Sequence, residues 1–166
     1  MICNDKIKSV LSFLKTHEIE YEIFFHEPAF TIEECRKIEC IIGAEICKNL
    51  LLTTTSGNIM YLLMLSGRKK FVTKDVSKKL GTSRLSFASA DIMRSLLNTE
   101  PGSLSVTGLI FDADKKVLLA IDRDVLNSEF VCCHPSDNSA TLKIKTKDLI
   151  EKLLPSLETD PMIIDV

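Results

Sequence analysis

No stretch of this 166-residue chain approaches the ~20 consecutive apolar residues of a membrane span. The opening residues, Met1-Ile2-Cys3-Asn4-Asp5-Lys6, lack the basic and apolar regions of a secretory leader, so a cytoplasmic location is expected. There is no Cys-x-x-Cys pair and there are only three histidines, so no metal and no cofactor is expected. Six cysteines stand at positions 3, 35, 40, 47, 132 and 133; a chain with its own core in a reducing compartment does not need to pair them, and free thiols are expected. Internal repeats, low-complexity tracts and linkers are also missing. The composition, 45% hydrophobic and 27% charged, suits one domain with a real core.

A net charge of -2 argues against a nucleic-acid partner, but the charge is unevenly spread. Between Gly67 and Arg84 seven basic side chains (Arg68, Lys69, Lys70, Lys74, Lys78, Lys79 and Arg84) face one acid, Asp75. A local excess of this kind fits a phosphate-contacting face. It equally fits a solvated lysine-rich helix, and composition alone leaves both readings open.

Hydrophobic spacing predicts a helix over 5–17, a strand over 21–25, and a helix over 32–41 capped by the Thr31 and Glu34 pair. Runs at 46–55 and 59–66, joined by Ser56-Gly57-Asn58, predict an antiparallel hairpin. Helices are expected over 73–80, stopped by Gly81, and over 89–97. A second hairpin is expected from 106–112 and 116–122, and a third strand pair from 130–133 and 140–144. A helix over 147–154 should end at Pro155, leaving 155–166 as a tail that docks or frays. Helices interleaved with hairpins indicate an α+β domain, with a mixed, mostly antiparallel sheet or open barrel flanked by helices.

Three places carry polar residues where the pattern does not ask for them. Lys48 and Asn49 interrupt the apolar run Ile46-Cys47-Lys48-Asn49-Leu50-Leu51-Leu52, which reads as a buried strand where unpaired polar groups cost several kcal/mol. A protein countercharge or an anionic ligand would offset that cost. The turn Pro101-Gly102-Ser103-Leu104-Ser105 can present main-chain N–H groups to an oxyanion or a water. The loop His134-Pro135-Ser136-Asp137-Asn138 carries a histidine at a strand end, which by itself is more often structural than catalytic, as is His26. Cys132 and Cys133 point to opposite faces of one strand, which speaks against a shared role.

In order along the chain, His26-Glu27-Pro28-Ala29-Phe30-Thr31-Ile32-Glu33-Glu34, Lys48-Asn49-Leu50, Pro101-Gly102-Ser103 and His134-Pro135-Ser136-Asp137-Asn138 resemble the YbaK and prolyl-tRNA synthetase-associated editing domains, in particular their free-standing ProX branch. The resemblance runs over residues 5 to 154, and implies an editing domain over 1–154. It implies a trans-editing enzyme that hydrolyses the ester of mischarged tRNA(Pro), alanyl-tRNA(Pro) above all. Lys48 would hold the terminal nucleotide, Gly102 and Ser103 would position water or the ester carbonyl, and His134 would line the aminoacyl pocket. Asn49, Leu50, Lys69, Lys70, Asp137 and Asn138 would bind substrate. The implied partner is tRNA, with a transient contact to prolyl-tRNA synthetase, no membrane, and a monomeric state.

One departure stands out. The family often writes its glycine loop as Gly-x-x-x-Pro, and here Val106 occupies the proline position. That leaves two alternatives: a catalytically inactive tRNA-binding module, and a deacylase of cysteinyl-tRNA(Pro) of the YbaK kind.

Overall fold

Asn4 starts the first helix by accepting the Ile7 N–H through its side chain at 3.0 Å, with Asp5 in the first turn complementing the helix dipole. The computed structural model describes residues 4–29 and 32–166. Helix α1 (Asp5–Thr16) buries Ile7, Val10 and Leu14 at the predicted spacing. Strand β1 (Tyr21–Phe25) and helix α2 (Ile32–Ile42) follow, while Thr31, the predicted cap, lies outside the described residues.

The first hairpin forms as read. Strand β2 (Lys48–Thr54) pairs antiparallel with β3 (Met60–Leu65), placing Lys48 opposite Leu65. Helix α3 (Thr73–Lys79) leads to Gly81, whose φ of +63° supplies a left-handed ending open to glycine. A short strand that periodicity does not reveal, β4 (Leu85–Phe87), then pairs with the free edge of β2. Helix α4 (Ala90–Leu97) is capped by Ser89, which accepts the Ile92 N–H.

The second predicted hairpin does not form. Residues Val106–Phe111 make a 3-10 helix, with Ser105 accepting the Thr107 N–H at its start. Val106, Thr107, Gly108 and Leu109 are all buried, without the alternation of a half-exposed hairpin strand. The Asp112 carboxylate then accepts the N–H groups of Lys116 and Val117, turning the chain into β5 (Val117–Asp122). Strand β5 runs parallel to β3, and β8 (Met162–Ile164) runs parallel to β5.

Two sheets result, in the orders β4-β2-β3-β5-β8 and β1-β7-β6, where β6 is Phe130–Cys133 and β7 is Ala140–Lys145. Neither closes, so the α+β domain is open rather than barrelled. A parallel bridge from Ile46 to Cys132 joins the sheets. Helix α5 (Arg123–Leu126) links β5 to β6, and a helical segment, α6 (Thr146–Asp148), a π turn (Leu149–Leu153) and α7 (Leu154–Ser156), leads into β8. Pro155 therefore sits inside α7 instead of ending the helix; the widened turn before it relaxes the hydrogen-bond ladder that proline would break. No helix among the described residues is long and apolar enough to cross a membrane.

The main core gathers Leu51, Leu62, Leu119, Val131 and Leu142 from both sheets, together with α1 and the C-terminal helical segment. The opposite face of the five-stranded sheet is covered by α3 through Val76 and Leu80. Apolar side chains on both faces explain why β3 is fully apolar in sequence. Side chains alternate along β2, so Lys48, Leu50 and Leu52 turn toward the α3 side while Asn49 and Leu51 turn toward the main core.

Candidate active site

The cost anticipated at Lys48 falls instead on Asn49. Lys48 is the first residue of β2 and is exposed, its ammonium donating to the Lys69 carbonyl at 2.6 Å. Periodicity placed it inside a buried run because it cannot show where pairing begins. Asn49 is half-buried, and its amide nitrogen donates to the Cys47 carbonyl at 3.1 Å, which fixes the amide orientation. Its Oδ1 is buried and has no hydrogen-bond partner among the described residues. A buried acceptor left unmade costs about 1–3 kcal/mol, so it calls for a donor that arrives from outside.

The bridge between the sheets sets what lies beside that acceptor. Ile46 pairs with Cys132 in parallel, and the Cys47 N–H donates to the Cys132 carbonyl at 3.0 Å. Lys48 and His134 are each two residues beyond the bridge in the same direction, so the two segments leave it side by side. His134 is positioned through both its ring and its main chain. Its Nδ1–H donates to the Ala140 carbonyl at 2.8 Å, and its own carbonyl accepts the hydroxyls of Ser105 and Thr107. Burial, aided by the nearby His26, pushes the His134 pKa below the ordinary 6.5 despite the bond to Ala140. The ring is therefore neutral at neutral pH, with Nε2 an acceptor.

His26, read from sequence as merely structural, stands with its ring centroid 6.1 Å from that of His134. It is held by the Glu27 carbonyl and the Thr141 hydroxyl. Thr107 and Thr141 are absent from the sequence reading, and Ser136 enters it only as part of the histidine loop; all three are buried, and Ser136 takes a φ of +58°. No local sequence signal marks them, because their partners lie far along the chain.

The glycine turn and the histidine loop are tied together. The Asn138 N–H donates to Ser103 Oγ at 3.1 Å, and Gly102, exposed at φ +88°, faces the Asn138 amide. The Ser103 N–H is already committed to the Glu100 carbonyl at 2.9 Å. Ser103 thus binds the two loops together, and Gly102 is the residue of the turn that presents open backbone. Asp137 works inside its loop, accepting from Ser139 and from the Asn4 side chain at 2.6 Å. Burial opposes its charge, but these hydrogen bonds outweigh burial and hold its pKa below the usual carboxylate value.

The basic segment divides into matched and unmatched charges. Lys69 meets both Asp122 and Asp124 at 2.8 Å, and Arg68 meets Glu45 at 2.7 Å. Burial works against the Lys69 charge, yet the two aspartates hold its pKa above 10.5. Its charge is already balanced within the protein. Lys70 is exposed and forms no ion pair among the described residues, and Leu50 packs on the α3 side of the sheet.

Cys35, Cys40, Cys47, Cys132 and Cys133 are free; burial pushes the Cys132 and Cys133 thiols up to about 12 and raises Cys47 as well. Cys132 packs against Ile38 and Ile42 of α2, and Cys133 against the main core, on opposite faces as expected.

Residues 26–152 match the model of the aminoacyl-tRNA editing domain. The chain belongs to the aminoacyl-tRNA editing domain family. Within that family it is 33% identical over 150 residues to the prolyl-tRNA editing protein ProX of Acetoanaerobium sticklandii, covering 90% of this chain and 91% of that one. It is 26% identical over 162 residues to the prolyl-tRNA synthetase associated domain-containing protein 1 of Danio rerio, covering 96% and 87%. A crystal structure provisionally described as a trans-editing enzyme for prolyl tRNA synthetase superposes with a TM-score of 0.72 at 19% identity, covering 98% of each chain, and so shares the editing-domain fold. The segments that carry Asn49, Gly102 and His134 lie within the matched region.

Proposed function

We propose that this chain is a trans-editing deacylase that hydrolyses the ester of mischarged tRNA(Pro), with alanyl-tRNA(Pro) as its principal substrate. The name and extensive similarity of the ProX relative support the reaction class and the tRNA. The observation that carries the reading is the buried Asn49 Oδ1, without a hydrogen-bond partner among the described residues, on a strand start that also holds exposed Lys48 and leaves the Ile46–Cys132 bridge alongside the segment of neutral His134. An aminoacyl-tRNA end brings a partner for each of those groups, donors for Oδ1 and Nε2 and an anionic acceptor for the ammonium. The substrate ammonium or a ribose hydroxyl satisfies Oδ1, Lys48 holds a phosphate or the ribose of the terminal nucleotide, and His134 Nε2 accepts a proton-bearing group in the pocket.

The chemistry asks little more of the protein. An aminoacyl ester is already activated, so an oriented water and a stabilised oxyanion suffice. Water adds to the ester carbonyl, the Gly102 backbone supports the oxyanion, and the ribose oxygen leaves with a proton as free amino acid and tRNA form. A pocket closed around a methyl side chain excludes the proline ring, because forcing extra atoms into packed space costs ~1–3 kcal/mol. The protein acts as a cytoplasmic monomer in this reading, with any contact to prolyl-tRNA synthetase transient.

Val106 does not argue for an inactive binding module. Its side chain is fully buried in the main core at the first residue of the 3-10 helix, the end of a helix where proline is best tolerated. Valine there fills core volume. A panel of tRNAs charged with alanine, cysteine, serine or proline tests the proposal directly. Faster ester loss from alanyl-tRNA(Pro) than from the others is expected; cysteine preferred over alanine would redirect the specificity, and binding without turnover would refute the enzyme.

A pH profile tests the histidine. A folded-state pKa below 6.5 means that the neutral ring favours the fold, with its stability present above 6.5 and lost as pH falls through the lowered value. Deacylation, corrected for spontaneous hydrolysis, is expected to hold as pH falls to 6.5 and to decline only below it. A decline beginning above 6.5 would count against a neutral His134.

A further inference from the structure

Phe87 is 61% exposed on β4, the edge strand of the five-stranded sheet. A large apolar side chain in that position invites edge pairing and self-association, so its exposure needs a reason. The ring is not isolated. Phe71 lies 5.3 Å from it between centroids at an interplanar angle of 55°, and Phe71 itself packs on the core beneath α3. The pair forms a backed aromatic surface.

Its neighbours are cations. Phe87 pairs with Leu52, on the same β2 face as Lys48, four residues or about 13 Å along the strand. The Lys48 ammonium bonds the carbonyl of Lys69, two residues before Phe71, so the aromatic pair adjoins the lysine of the candidate active site. On the other side runs a groove lined by Thr73, Lys74, Ser77, Lys78, Thr82 and Arg84. Lys74, Lys78 and Arg84 are exposed and form no ion pair among the described residues, unlike Arg68 and Lys69.

Aromatic faces set in a track of unmatched cations are what a single RNA strand binds: cations follow its phosphates and the rings stack its bases. A duplex presents no free base faces. We propose that the Phe71–Phe87 pair is a stacking platform for an unpaired nucleobase near the 3′ end of the RNA, with Lys74, Lys78 and Arg84 carrying the backbone that leads to it. The inference rests on the tRNA-deacylase reading and adds a subsite outside the reacting centre. In it, the strand runs from the α3 groove across Phe87 to Lys48.

The test uses uncharged RNA, so it reads binding apart from catalysis. A hairpin with a four-nucleotide 3′ overhang carrying 2-aminopurine, and the same hairpin with a blunt end, are titrated with wild type, Phe87→Leu and Phe87→Tyr. Wild type is expected to change the 2-aminopurine emission, Phe87→Leu to weaken overhang binding about tenfold while leaving the blunt hairpin unchanged, and Phe87→Tyr to stay within about twofold of wild type. Equal affinity of Phe87→Leu and wild type, or equal loss on both hairpins, would overturn the platform. So would a change in self-association with RNA affinity intact, which would mark a protein-docking face. If variants that lose no affinity still hydrolyse alanyl-tRNA(Pro), the platform alone fails; wild type that neither binds nor hydrolyses removes the deacylase reading with it.

Discussion

Lys48→Ala is expected to lose roughly 10- to 100-fold in kcat/KM on alanyl-tRNA(Pro), the range for a charge-assisted hydrogen bond, with the thermal midpoint nearly unchanged. The asymmetry follows from its position. The side chain is exposed at the start of β2, and among the described residues one of its three N–H donors is taken, by the Lys69 carbonyl. That bond aims the ammonium and leaves two donors for an anion. Removing one phosphate contact on a single strand should also flatten the dependence of log affinity on log salt by about 0.7. Lys48→Arg should restore the salt slope more fully than the rate, since a planar fork replaces a point charge. Unchanged kcat/KM in Lys48→Ala would remove the residue from the site.

How the sequence could be read follows from the range over which each signal acts. Local patterns carried α1, the β2–β3 hairpin, α4 and the β6–β7 pair, because each is specified within a few residues. The 106–122 segment misled for the same reason. A short apolar run with a polar turn serves a hairpin or a 3-10 helix equally, and the parallel partner of β5 lies across α3, β4 and α4. The site shows the same division. The ordered motifs marked Lys48, Asn49, Gly102 and His134, but not that Lys69 is balanced by Asp122, 53 residues away, or that Ser103 is tied to Asn138. Charge counted residue by residue shows an excess of six; the fold matches Arg68 and Lys69 and leaves Lys74 and Lys78 of α3 unmatched among the described residues. Electrostatic availability is a tertiary property.

Asn49→Leu is expected to separate stability from activity in opposite directions. Among the described residues the wild-type amide makes one hydrogen bond, to the Cys47 carbonyl, and leaves Oδ1 buried without a partner. A leucine of similar shape facing the main core removes that unsatisfied acceptor, and replacing strained polar groups by apolar ones of like shape is near neutral or stabilising. A gain of about 1 kcal/mol would raise the thermal midpoint by roughly 2–4 °C for a chain of this size. The same change removes the acceptor that the incoming substrate donor requires. A hydrogen bond to a charged group is worth ~1.5–3 kcal/mol, so kcat/KM should fall about 10- to 100-fold. Asn49→Asp offers the complementary arm: it keeps an acceptor but buries a charge, so its midpoint should drop while an ammonium donor, when bound, partly offsets the loss. Calorimetry alongside deacylation kinetics distinguishes the accounts. A leucine variant that is both less stable and fully active would mean that Asn49 serves the fold, and that its lone acceptor is satisfied by something other than substrate.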